Sequence, residues 1–156
     1  MLEEGARLFA NIEPGGSEPL LPALRSVPAA RGVRLAIISD FLGDADDLIA
    51  LARERASAGG DVYAVHIVAG EELEPGDAAV LATDPEAEEI RRPLAASTRT
   101  EYQRAFALWR GELARSWRTA GAAYTEVLTN ETAARAVRRV TGAGSEAGVP
   151  ARSAER

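Results

Sequence analysis

The chain has no cysteine, and all 18 of its basic residues are arginine, so it has no lysine either. Without cysteine there is no thiol nucleophile, no disulfide framework and no thiolate metal site. Without lysine there is no Schiff base, no phosphate-loop lysine and no lysine general base. Only one histidine is present, His66. Neither a multi-histidine zinc site nor a serine–histidine triad with a spare imidazole can be assembled. No run of about 18 apolar residues occurs, so nothing in the chain spans a bilayer unaided. The amino-terminal MLEEGARLF is acidic where a secretory signal is basic and then apolar.

What remains is an acidic, moderately apolar chain of 156 residues, with 46% hydrophobic residues and a formal net charge of −6. That length suits one domain with one core. The negative balance disfavours binding to a phosphate backbone, so no nucleic-acid partner is expected. The composition reads as that of a cytoplasmic protein.

Along the chain, apolar spacing predicts short helices near residues 2–11 and 20–27, separated by the breaker Pro14-Gly15-Gly16-Ser17. Residues 33–39, VRLAIIS, form a nearly continuous run rich in β-branched side chains. Such a run reads as a strand buried on both faces, as in the middle of a parallel sheet. A helix follows around Leu48 to Ala52 and stops at Ala58-Gly59-Gly60; residues 62–68, VYAVHIV, then give a second buried strand. Residues 70–77 read as an acidic loop, and residues 79–83 and 88–92 as a hairpin around Asp84-Pro85-Glu86. The longest helix spans 97–119, with the stripe Tyr102, Phe106, Trp109, Leu113 and Trp117, best read as a face packed on a sheet. A third strand at 123–128 and a helix at 132–140 complete the order, and residues 142–156 lack periodicity and read as a disordered tail.

This order predicts an α/β domain over residues 1–141: a partial, Rossmann-like doubly wound sheet, mostly parallel, with helices on both faces. A central strand at 33–39 has no earlier strand in the sequence to flank its other side. The first strands of the domain are therefore read as missing. The open edge left behind predicts an edge-mediated homo-oligomer for the isolated chain.

Ligands of open α/β sheets gather outside the carboxyl ends of the strands. Asp40 stands there, after residues 33–39, with Ser39, Asp44, Asp46 and Asp47 close in sequence. Clustered oxygen donors suit a hard cation such as Mg²⁺. Acidic residues also favour the first turn of a helix, which accounts better for Asp44, Asp46 and Asp47. For Asp40 both accounts stand. His66 alternates with Val62, Ala64 and Val68 and reads as a satisfied core histidine. The acids Glu71, Glu72, Glu74 and Asp77 read as a solvated loop, not as paired catalytic groups.

The ISDFL strand end, DVYAVHIV with its ELEPGD loop, TDPEAEEI, TEYQRAFALWRGEL and AAYTEVLTNE occur in an order that is familiar. Together they resemble the carboxy-terminal part of a bacterial von Willebrand factor A-like, MoxR-associated family, domain of unknown function number 58. The resemblance runs over residues 13–140. It implies a metal-ion-dependent adhesion site built from three segments, of which two have counterparts here. Ser17 of Gly15-Gly16-Ser17 takes the hydroxyl position and Asp40 the aspartate position, while the DxSxS loop is absent. With so few ligands, Mg²⁺ would be held weakly.

The resemblance implies no catalysis, but a protein-binding scaffold whose partner is a MoxR-type AAA+ ATPase or the missing half of the domain. Full-length relatives are often membrane-anchored. Two alternatives stand beside it: an aspartate-dependent phosphoryl-transfer or Mg-dependent hydrolase-like domain, with Asp40 as acceptor, and an inactive truncated fragment.

Overall fold

The computed structural model describes residues 20–43, 45–75, 81–83, 91–93 and 96–147. Three parallel strands form its centre: β1 (Arg34–Ser39), β2 (Asp61–Val68) and β5 (Ala123–Leu128), hydrogen-bonded in the order β1-β2-β5. The registers pair Leu35 with Val62 and Ala64 with Tyr124, so Leu35, Ile37, Val62, Ala64, His66 and Tyr124 share one face. On that face lie α1 (Leu20–Arg25), α2 (Ala45–Ser57) and α4 (Ala96–Thr119). Leu24, Leu48, Leu51, Leu113 and Trp117 from these helices join the sheet residues in one buried cluster. Val65, Thr125 and Val127 point the other way and are also buried, and α5 (Ala133–Ala147) packs on β5 and β2. The molecule is thus an α/β sheet domain.

The helix ends follow from local chemistry. Gly59 and Gly121 both have left-handed backbones, with φ of 81° and 85°. In each case the glycine N–H bonds back three residues and the next N–H five: Gly59 to Ala56 and Gly60 to Arg55, Gly121 to Arg118 and Ala122 to Trp117. This double bond is the Schellman ending, which a residue without Cβ enters at little cost.

Three expectations need correction. β1 is buried on one face only: Arg34, Ala36 and Ile38 are exposed, Ile38 to 66%. Among the described residues its outer edge is unpaired, the open edge that the order of elements predicts. Of the described residues, those of α1, α2 and α4 build the core on the Leu35–Ile37 side, whereas α5 packs on β5 and β2 and Ile38 stays exposed. The acidic stretch begins with a one-turn helix, α3 (Gly70–Leu73), whose first turn is closed by Glu72 accepting the Ala69 N–H at 2.8 Å. Helix α5 continues to Ala147, past the expected boundary at residue 142, since elongating an established helix adds one bond per residue fixed.

The hairpin forms as β3 (Leu81–Thr83) and β4 (Arg91–Pro93), antiparallel and in a separate two-stranded sheet; its turn lies outside the described residues. The aromatic stripe of α4 splits along its length. Leu113 and Trp117 are in the core, Trp109 packs against it, and Tyr102 is 37% exposed. Among the described residues, no helix is long and apolar enough to cross a membrane.

Candidate functional site at the sheet rim

Asp40 follows the last residue of β1, at the carboxyl end of the parallel sheet, and is exposed. Its Oδ1 accepts the Leu42 N–H at 3.1 Å, an Asx-type turn. The Ser39 hydroxyl donates to the same oxygen at 3.5 Å, the long limit of a hydrogen bond, and accepts the Phe41 N–H at 3.0 Å. Between them Phe41 has φ of 56°, a left-handed backbone that costs a residue with Cβ about 1–2 kcal/mol. Burial of its ring offsets this strain. Phe41 is 2% exposed, with its centroid 4.9 Å from Trp117 and 5.7 Å from His66. The chain therefore dives into the core one residue after Asp40 and leaves the carboxylate at the rim.

The other candidates separate. Ser17 and Asp44 lie outside the described residues, so the pairing of Ser17 with Asp40 does too. Asp46 and Asp47 are exposed in the first turn of α2, as helix-start acids are. Glu71 and Glu74 are exposed, Glu72 is occupied by the α3 turn, and Asp77 is outside the described residues. Among the described residues, no three His, Cys, Asp or Glu side chains come together to hold a metal. Asp40 fits one ligand of a hard cation; alone it does not fit a complete sphere.

His66 is 1% exposed on the covered face of β2, the core histidine its alternation predicts. Its Nδ1 shares a 2.6 Å hydrogen bond with the Tyr124 hydroxyl on β5. Burial lowers the His66 pKa below 6.5; Glu126, 4.0 Å away, pulls it up less strongly, and Arg110 adds to the lowering. The imidazole is therefore neutral near physiological pH. Burial and the Glu126 charge push the Tyr124 hydroxyl up to about 12, against the opposing pull of Arg110 and Arg118. Arg110 holds Glu126 through two bonds, Nε at 3.0 Å and Nη2 at 2.7 Å. The Arg118 guanidinium lies 5.4 Å over the Tyr124 ring. Outside this cluster is a groove of about 330 Å³ lined by Arg110, Arg118, Tyr124 and Glu126. Arg110 is paired with Glu126, which leaves the Arg118 guanidinium as the uncompensated charge of the groove among the described residues.

Sequence reasoning missed Arg55. It is 4% exposed, and its guanidinium donates to the carbonyls of Leu24, Val27 and Pro28 (3.1 Å), closing the carboxyl end of α1. A signal existed. Arg55 falls on the same helical stripe as Leu48, Leu51 and Ala52, which marks it as inward-facing.

No protein-family model, curated protein or solved structure matches this chain.

Proposed function

We propose that the chain is a non-enzymatic protein-interaction module of the von Willebrand A-like kind, with Asp40 as one corner of an incomplete metal-ion-dependent adhesion site. The carrying observation is the carboxylate of Asp40, exposed at the carboxyl rim of a parallel α/β sheet and fixed by the Leu42 N–H. Crevices at this rim are where open α/β sheets bind ligands. In this reading Ser17 supplies a second oxygen, and the acidic group of a protein partner completes a weakly held Mg²⁺. By the resemblance, that partner is a MoxR-type AAA+ ATPase or an upstream segment of the same fold. The doubly wound topology belongs to the same proposal.

The phosphoryl-transfer alternative is less well supported. Asp40 could accept a phosphoryl group only beside a cation that balances its charge, and the chain has no lysine for that role. The single histidine is buried against Tyr124 and so is withdrawn from general acid–base work at the surface.

Calorimetric titration with Mg²⁺ and Mn²⁺ tests the reading. Binding weaker than millimolar is expected, lost in Asp40→Ala and reduced in Ser17→Ala. Binding that persists unchanged in Asp40→Ala removes the metal role. A phosphoaspartate formed with acetyl phosphate and detected by mass would favour the enzyme instead.

A further inference from the structure

Among the described residues the outer edge of β1 is unpaired, and its direction of bonding is fixed. The Asp61 N–H donates to the Val33 carbonyl, so that carbonyl and the backbone groups of the odd-numbered residues 35, 37 and 39 are directed at β2. Arg34, Ala36 and Ile38 therefore turn their N–H and C=O groups outward. The same three side chains are exposed, and Ile38, at 66%, is among the most exposed large apolar residues described. An edge with apolar side chains and free ladder groups is a template for another strand.

We infer that the occupant is β1 of a second copy, paired antiparallel about a two-fold axis to give one continuous six-stranded sheet. Only outward-facing residues can exchange bonds, so even-numbered residues must face even-numbered ones. Two compact registers satisfy this. One places Ala36 opposite itself and Arg34 opposite Ile38. The other is centred on Ile37, with Ala36 opposite Ile38 and Arg34 opposite Asp40. Charge selects the second, because it sets a guanidinium against an exposed carboxylate twice per dimer. Arg34 is available for this. Its present partner is Asp61, with Nε and Oδ2 3.5 Å apart and both side chains more than half exposed, a contact of little net strength. Opposite Ala36, Ile38 also gains an apolar cross-strand neighbour on the face that α5 leaves open.

Sedimentation velocity in the presence of a chelator tests this independently of any metal. The full chain is expected at twice its 16.5 kDa. Ile38→Glu should give monomers. Ala36→Pro, which deletes an outward N–H without touching the β2 ladder, should weaken association about tenfold or more. Circular dichroism of both variants reports that the fold is kept. Arg34→Asp and Asp40→Arg should each weaken self-association, and an equimolar mixture of those two variants should form a heterodimer.

A monomeric wild type overturns the inference, including one whose Ala36 and Ile38 amides are protected from exchange because residues 1–19 occupy the edge. A dimer indifferent to Ile38→Glu and Ala36→Pro overturns it as well, as does failure of the two charge variants to associate.

Discussion

The Nδ1 of His66 and the hydroxyl of Tyr124 lie 2.6 Å apart, on neighbouring strands, with both residues buried. Among the described residues each side chain is the hydrogen-bond partner shown for the other's buried group, so the protonation of one bears on the stability of the whole sheet. Burial prevails in both shifts: it lowers the basic group and raises the acidic one.

Acid should therefore destabilise the fold through His66. The folded-state pKa lies below the ordinary 6.5, so the unfolded chain takes up a proton first. The stabilising contribution is complete above 6.5 and is lost as pH falls from there through the folded-state value. Urea unfolding at about pH 8 and about pH 5 measures the loss. His66→Gln keeps a hydrogen-bonding group but cannot charge, and it should flatten the acid limb. An unchanged limb in that variant would mean that carboxylates alone cause it.

Alkali should act through Tyr124 with the opposite sign. Its folded value of about 12 exceeds the ordinary 10.0, so the unfolded chain releases the proton first. Stability is retained below 10 and lost between 10 and 12. Tyr124→Phe should remove the latest component of the tyrosinate absorbance titration. At neutral pH it should also cost about 1–3 kcal/mol, since the His66 nitrogen is left buried without its partner. If the late component survives in Tyr124→Phe, it belongs to another tyrosine.

These contacts show which parts of the molecule could be read from sequence. Gly59 was legible because a left-handed helix ending is a local demand that the residue itself meets. The run from Val62 to Val68 was legible because its strand is central, and composition reports burial correctly there. The same inference failed at Ile38. An apolar residue on the open face of an edge strand looks identical in sequence to one in a core, and only the neighbouring strands distinguish them. Asp40 was placed correctly at the strand end, but the left-handed Phe41 that turns the chain inward after it has no sequence signature. His66 and Tyr124 are 58 positions apart, and Arg110 and Glu126 are 16 apart, so neither pair exists until the strands and helices dock.

Arg55 is expected to be the most sensitive charged residue in the fold. Its guanidinium is buried and serves the Leu24, Val27 and Pro28 carbonyls with no carboxylate among its bonded partners. Arg55→Met keeps much of the stem's volume and deletes every donor. The three carbonyls then compete poorly for water, and a loss of roughly 3 kcal/mol is expected from denaturant unfolding. Arg55→Lys should fall between, because an ammonium group cannot span three acceptors as a planar guanidinium does. A loss below about 1 kcal/mol in Arg55→Met would show that α1 is held by its apolar side alone.

Two glycines of the same helix region should respond oppositely to alanine. At Gly121, φ is 85° and an added Cβ would sit 2.9 Å from the Ala56 Cβ, so both backbone and packing resist the change. Left-handed strain of about 1–2 kcal/mol and local overpacking of about 1–3 kcal/mol together predict a loss of roughly 2–5 kcal/mol. At Gly111, inside α4 and exposed, an added Cβ meets nothing within 4 Å. There alanine removes backbone freedom from the unfolded chain and should stabilise by about 0.5–1 kcal/mol. Thermal unfolding of the two single variants measures the contrast. Opposite signs are expected, and a stabilising Gly121→Ala would mean that the turn between α4 and β5 relaxes away from Ala56 instead of holding the helix against α2.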